Sequence, residues 1–127
     1  MTAMTDLAPA GLRTAPAGRT GTVELLTSSG WFAVCGADAL EPGRGVAALL
    51  PGGAQAAVFK DSAGRLWAIG NVDPFTGAGV LCHGLMGSAG GRPYVASPLL
   101  KQRFGLADGQ CLDDDEVAVA SYPLRVR

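Results

Sequence analysis

A single histidine is all that this chain of 127 residues contains, and that scarcity excludes more chemistry than any other feature of its composition. Imidazole is the side chain that most often works as a base near neutral pH, and clusters and metals often need two of them. The three cysteines, Cys35, Cys82 and Cys111, form no Cys-x-x-Cys pair, so the ligand spacing of structural zinc sites is missing. Being odd in number they make no disulfide framework either, and in a cytosolic chain they stay reduced. No serine or cysteine stands beside a base and an orienting group in a recognisable context. The residues themselves carry no active site.

Positive charge is also in short supply. Ten Lys and Arg against eleven Asp and Glu leave a net charge of −1, with none of the basic excess that a nucleic-acid backbone selects. Nucleic acid is not an expected partner. The longest apolar runs, Gly45 to Leu50 and Ala56 to Phe59, fall far short of the roughly 20 residues that span a bilayer. The residues before Gly21 include Arg13 and Arg19 but no continuous apolar stretch of a secretory signal. No membrane partner is expected, and the cytoplasm is the expected location. Aromatic residues make up 6% of the chain, against 19 glycines and 8 prolines, which favours turns and short strands over a helical bundle.

What is present is enough apolar material, 48% of the residues, for one domain with its own core. Residues 1–21 mix Thr, Ala, Pro and Gly and read as a flexible leader. Residues 22–127 read as the folded domain. Val23, Leu25 and Leu26, then Trp31, Phe32, Val34 and Cys35, open an all-β pattern, and Asp38 is a candidate cap for one short helical turn closed by Pro42-Gly43. Gly45–Leu50, Gln55–Lys60 and Leu66–Ile69 predict a meander, separated by the turn-forming Pro51-Gly52-Gly53 and Asp61-Ser62-Ala63-Gly64. Trp67 in the third run is expected in the core. Gly77 to Gly91 lacks the order of a phosphate-cradling loop and reads as a mobile insertion. Tyr94-Val95-Ala96 is a further strand, Asp108-Gly109 a hairpin turn, and Val117–Val119 and Tyr122–Val126 are closing strands. In the last of these, Leu124 and Val126 face one side and Arg125 and Arg127 the other.

Two proline-centred tips end strand-like runs: Asn71-Val72-Asp73-Pro74-Phe75-Thr76-Gly77 and Ser97-Pro98-Leu99-Leu100-Lys101-Gln102-Arg103-Phe104. Their spacing resembles the two cluster-binding loops of Rieske iron-sulfur domains, in which Cys-x-His and Cys-x-x-His hold one [2Fe-2S] centre. Asp73 and Phe75 stand where the first Cys and His would be, Ser97 and Leu100 where the second pair would be, and Pro74 and Pro98 remain. Loops kept with ligands absent resembles the small subunit of bacterial assimilatory NAD(P)H-dependent nitrite reductase. Asp before Pro is also an ordinary turn starter whose carboxylate accepts local amides. Phe75 and Leu100 are expected to fill the place of a cluster and meet in an apolar contact between the tips.

Two further features allow a functional and a plain reading. Cys82 and His83 are adjacent in the glycine-rich segment, but neighbouring side chains rarely converge on one ion, and no third ligand is near in sequence. Lys101 and Arg103 after the second tip, with Arg92 before it, place positive charge beside an apolar loop end. They form either the rim of a protein interface with Pro74, Phe75, Pro98 and Leu99, or a guard of cations on a strand edge.

The resemblance implies an all-β, Rieske-like domain of small antiparallel sheets, sandwich- or barrel-like, with the two tips in the positions of cluster-binding loops. It implies a non-catalytic subunit that binds no cofactor itself. Its large catalytic partner would carry FAD, sirohaem and an iron-sulfur cluster and reduce nitrite to ammonium. The alternative is a cluster-free Rieske-like module that docks to another oxidoreductase, such as an oxygenase.

Overall fold

The computed structural model of the protein describes residues 21–127, so the expected leader lies, apart from Gly21, outside the described residues. These residues form nine strands: β1 (Thr22–Thr27), β2 (Gly30–Gly36), β3 (Gly45–Leu49), β4 (Gln55–Lys60), β5 (Leu66–Gly70), β6 (Leu85–Ala89), β7 (Arg92–Ala96), β8 (Arg103–Gly105) and β9 (Leu124–Val126). They build three three-stranded antiparallel sheets in the orders β2-β1-β9, β3-β4-β5 and β6-β7-β8. The all-β expectation and the expected meander hold.

The β4-β5 hairpin is buried on both faces, and the pleat explains how. Ala56, Val58, Leu66 and Ala68 lie on one face and join Val23, Leu25 and Leu124 in a first core against the β1 sheet. Ala57, Phe59, Trp67 and Ile69 lie on the other and join Val95, Phe104 and Leu106 in a second core against the β7 sheet. The register pairs Val58 with Ala68 and Phe59 with Trp67, so facing residues on the two strands enter the same core. A strand covered on both sides reads as an unbroken apolar run, as these do, where a half-solvated strand would alternate.

Charged groups at the edges are tied down locally. The Asp61 carboxylate, in the β4-β5 turn, accepts from the Ala63 and Arg65 amides at 2.9 and 2.8 Å and from Arg65 Nε and Trp67 Nε1, both at 3.0 Å. Glu24 and Arg125 face each other across β1 and β9, with Arg125 Nε donating to Glu24 Oε1 at 2.6 Å and its guanidinium 4.2 Å above the Trp31 ring. Leu124 and Arg125 do alternate faces, but Arg125 is buried rather than solvated.

Three expectations are corrected. Asp38 sits inside the 3-10 turn Ala37–Ala39 and caps nothing; Gly36 holds the cap position with no side-chain bond. The Gly77–Gly91 segment is not a mobile insertion: it contains the 3-10 turn Leu81–His83, which buries Leu81 and Cys82, and β6, which pairs with β7 along its length. Of the two closing strands only β9 forms, while residues 117–119 contribute a single bridge, Ala118 to Gln110.

Burial alone would raise the Asp61 carboxyl, but the Trp67 N–H, the Arg65 amide and the Arg65 guanidinium outweigh it and hold the group below its ordinary value. A carboxyl depressed by folding stabilises the protein above its unfolded value and loses that contribution as pH falls through the folded one. Asp61→Asn should therefore destabilise the domain by about 1–3 kcal/mol at neutral pH. In urea unfolding the gap to wild type should shrink as pH drops below about 4.

Candidate functional site

The first tip follows β5 and the second joins β7 to β8, and the two have the same backbone construction. In the first, the Asp73 amide donates to the Ala78 carbonyl at 2.8 Å and the Gly77 amide to the Asp73 carbonyl at 2.7 Å. In the second, the Ser97 amide donates to the Gln102 carbonyl at 2.9 Å and the Lys101 amide to the Ser97 carbonyl at 3.0 Å. Each loop also uses the side-chain oxygen of its first residue: Asp73 Oδ1 accepts from the Phe75 amide at 2.8 Å and Ser97 Oγ from the Leu99 amide at 3.2 Å. Asp73 and Ser97 thus occupy equivalent points of two equivalent loops.

They also touch. Ser97 Oγ donates to the other carboxylate oxygen, Asp73 Oδ2, at 2.6 Å, with Ser97 2% and Asp73 0% exposed. A short bond to a charged acceptor is among the stronger hydrogen bonds available. The apolar contact expected between the tips forms from Phe75 to Phe104, at the end of the second tip, rather than to Leu100. The loops are bridged by a buried polar pair, the Phe75 ring lies 6.3 Å from that of Phe104, and Leu100 is 54% exposed.

A [2Fe-2S] centre of the Rieske kind takes two thiolates on one iron and two imidazoles on the other. At those places this chain offers a carboxylate and a hydroxyl bonded to each other, a phenyl ring and an isobutyl group. The residues present do not fit the cluster. Cys82, for its part, lies in the Leu81–His83 turn with its amide donating to Asn71 Oδ1 at 2.8 Å, and burial pushes its thiol up from the ordinary value. His83 is exposed beside it. Among the described residues no group of three or more His, Cys, Asp or Glu is arranged to hold a metal ion.

Asn71 explains why the segment after the first tip is ordered. It is 1% exposed and fully used: its amide and Nδ2 donate to the carbonyl and side chain of Gln55, and its carbonyl and Oδ1 accept from Leu81 and Cys82. One side chain therefore pins the tip's base to β4 and to the Leu81–His83 turn. In sequence it is indistinguishable from a turn asparagine.

The basic residues are not alike. Arg103 donates through its backbone amide, Nε and Nη2 to Asp113 at 2.8, 3.2 and 2.8 Å, and its guanidinium lies 5.5 Å from the Tyr94 ring centre. These bonds hold the Asp113 carboxyl below its ordinary value and the Arg103 guanidinium above its own. Arg92 pairs with Asp108 at 3.5 Å, both exposed. Lys101 is exposed and forms no ion pair among the described residues. Asp113 belongs to an acidic run that sequence alone does not connect with Arg103.

The Asp73–Ser97 bond makes a direct prediction. Ser97→Ala leaves a buried carboxylate oxygen unpaired and should cost about 1–3 kcal/mol in urea unfolding. Asp73→Ala should cost at least as much, and the double variant should lose clearly less than the sum. Additive losses would show that the two loops are not joined through this pair.

The family described as Rieske-like [2Fe-2S] domain matches residues 30–127. The nitrite reductase (NADH) small subunit of Salmonella typhimurium is 45% identical over 100 residues, covering 78% of this chain and 92% of its own. A crystal structure from Mycobacterium tuberculosis, assigned to an NADH-dependent nitrite reductase small subunit, superposes with a TM-score of 0.67 at 40% identity, covering 84% of this chain and 96% of its own. The nitrite reductase [NAD(P)H] large subunit of Klebsiella oxytoca contains a stretch 43% identical over 101 residues, which is 80% of this chain and 10% of that one. With these matches and the two loops in their Rieske positions, the chain belongs to the Rieske-like domain family, among the small subunits of NAD(P)H-dependent nitrite reductase.

Proposed function

We propose that this chain is the non-catalytic small subunit of a cytoplasmic, assimilatory NAD(P)H-dependent nitrite reductase, and that it stabilises or orients a large subunit which carries out the reaction. FAD, sirohaem and an iron-sulfur cluster would reside on that partner, and electrons would pass from NAD(P)H to nitrite there. The observation that carries the reading is the Klebsiella oxytoca chain, a large subunit that contains a segment like this one within its own length. A covalent tie holds a module against its neighbour at high effective concentration, which serves modules that work in contact. The carboxylate–hydroxyl pair at Asp73 and Ser97 supports a role without a cluster, since its oxygens are committed to each other and to loop amides.

The contact is assigned to the tips. Pro74, Phe75, Pro98 and Leu99 form its apolar part, all exposed, and Lys101 its free cation. Arg103 and Arg92 flank it as pairs with Asp113 and Asp108, so they offer the partner little charge. Reversing Arg103 would also break a bond of the domain itself, which makes it a poor probe of the interface.

A tagged chain captured from cells grown on nitrate should bring down a large flavin- and sirohaem-containing protein and NAD(P)H-dependent nitrite reduction. Leu99→Asp with Leu100→Asp, at positions already half exposed, should abolish capture while leaving thermal stability unchanged. Capture of an unrelated oxidoreductase would replace the nitrite assignment with the interaction-module reading.

A further inference from the structure

We propose that the two tips present to the large subunit an apolar contact organised around one cation, Lys101, and that the surface they meet is apolar with a carboxylate placed to receive it. The inference rests on the small-subunit reading above and adds the chemistry of the partner surface.

Among the described residues, six large apolar side chains are exposed, and four of them, Val72, Phe75, Leu99 and Leu100, sit on these two joined loops. Scattered apolar residues on a surface need no explanation, but a concentration of them on two loops held together by a buried bond marks an interaction site. Phe75 turns one side of its ring to Phe104 of the second core, while Leu99 and Leu100 are half exposed. Fixing the loops through Asp73 and Ser97 presents the patch in one shape, which lowers the ordering cost of binding.

The second loop departs from the first in one backbone detail. Lys101 has φ +69° and is the one non-glycine residue with positive φ among the described residues; the equivalent place in the first loop is Gly77 at φ +78°. Glycine adopts that conformation freely, whereas a side chain there is disfavoured. The next residue adds a second local cost, because Gln102 Oε1 is buried without a hydrogen-bond partner. Glycine at position 101 would suit the fold better, so the lysine side chain serves something outside the fold.

Charge then specifies what it meets. Arg103 and Arg92 are engaged by Asp113 and Asp108, leaving Lys101 as the tip's uncommitted charge among the described residues. Surrounding apolar side chains exclude water on docking, which strengthens an ion pair and punishes a missing partner. A second copy of this chain is a poor occupant of the same patch. A two-fold contact centred on the cation would bring two Lys101 ammonium groups together, while the loop's own carboxylate, Asp73, is buried and already bonded. The large subunit, assigned as partner above, is the occupant that remains.

The test uses the purified large subunit from the same organism and three variants of this chain. Lys101→Gly should melt no lower than wild type and up to about 4 °C higher, because left-handed strain is relieved. It should nevertheless bind the large subunit about tenfold more weakly or worse. Lys101→Arg should stay within about threefold of wild type, and Lys101→Glu should bind weakest of all. Raising salt should weaken wild type more than Lys101→Gly. If Lys101→Gly binds like wild type, or Lys101→Arg is as weak as Lys101→Gly, the cation has no role and this inference is overturned with the subunit reading intact. No binding by wild type overturns both, and wild-type dimers that Leu99→Asp with Leu100→Asp dissolves would assign the patch to a second copy instead.

Discussion

A hairpin with no solvent-facing side is the constraint from which the rest of this domain follows. Residues 56–59 of β4 and 66–69 of β5 are almost fully buried whichever way they point, so apolar neighbours must exist above and below. The β1 sheet supplies one cover and the β7 sheet the other. Because both covers are small, each needs help at its margins: the Glu24–Arg125 pair under Trp31 on one side, the Leu81–His83 turn pinned by Asn71 on the other. One loop leaves the end of β5 in the hairpin and the other joins β7 to β8 in the second cover, and this brings them face to face.

In a Rieske domain an inorganic cluster would join such loops by four bonds. Here a hydrogen bond between Ser97 and Asp73 and the Phe75–Phe104 ring contact join them, and each loop closes on itself. The same two backbone bonds within each loop hold its curvature, and the first residue's side-chain oxygen takes the amide two residues on. The two-loop arrangement thus stands with the Rieske donor positions taken by a carboxylate, a hydroxyl and two apolar side chains. The loop ends carry exposed apolar side chains.

Charge is handled sparingly across the domain. Asp61 is surrounded by donors from its own turn and from Trp67, Arg103 is gripped by Asp113, and Arg92 by Asp108. A surface so neutralised projects little field, which agrees with a net charge of −1. Recognition of a partner by such a protein depends on shape and on the few charges left uncommitted.

Sequence alone determined a good deal of this. Turn chemistry at Pro51-Gly52-Gly53 and Asp61–Gly64, and the apolar runs between, set out the central meander to within a residue of its observed ends. The residues standing at Asp73, Phe75, Ser97 and Leu100 determined that a Rieske cluster lacks its donors here, because ligand identity is a property of residue type. Tertiary structure decided what depends on distant partners. The hydrogen bond across 24 positions from Ser97 to Asp73, the pairing of Arg103 with Asp113, and the ordering of the glycine-rich segment by Asn71 have no local pattern. Nor does the burial of Arg125, which its alternation in β9 would place in solvent until Glu24 and Trp31 are brought beside it. Local sequence governs turns and strands because those depend on neighbours along the chain, whereas the partner of a polar group is chosen only when the sheets close on one another.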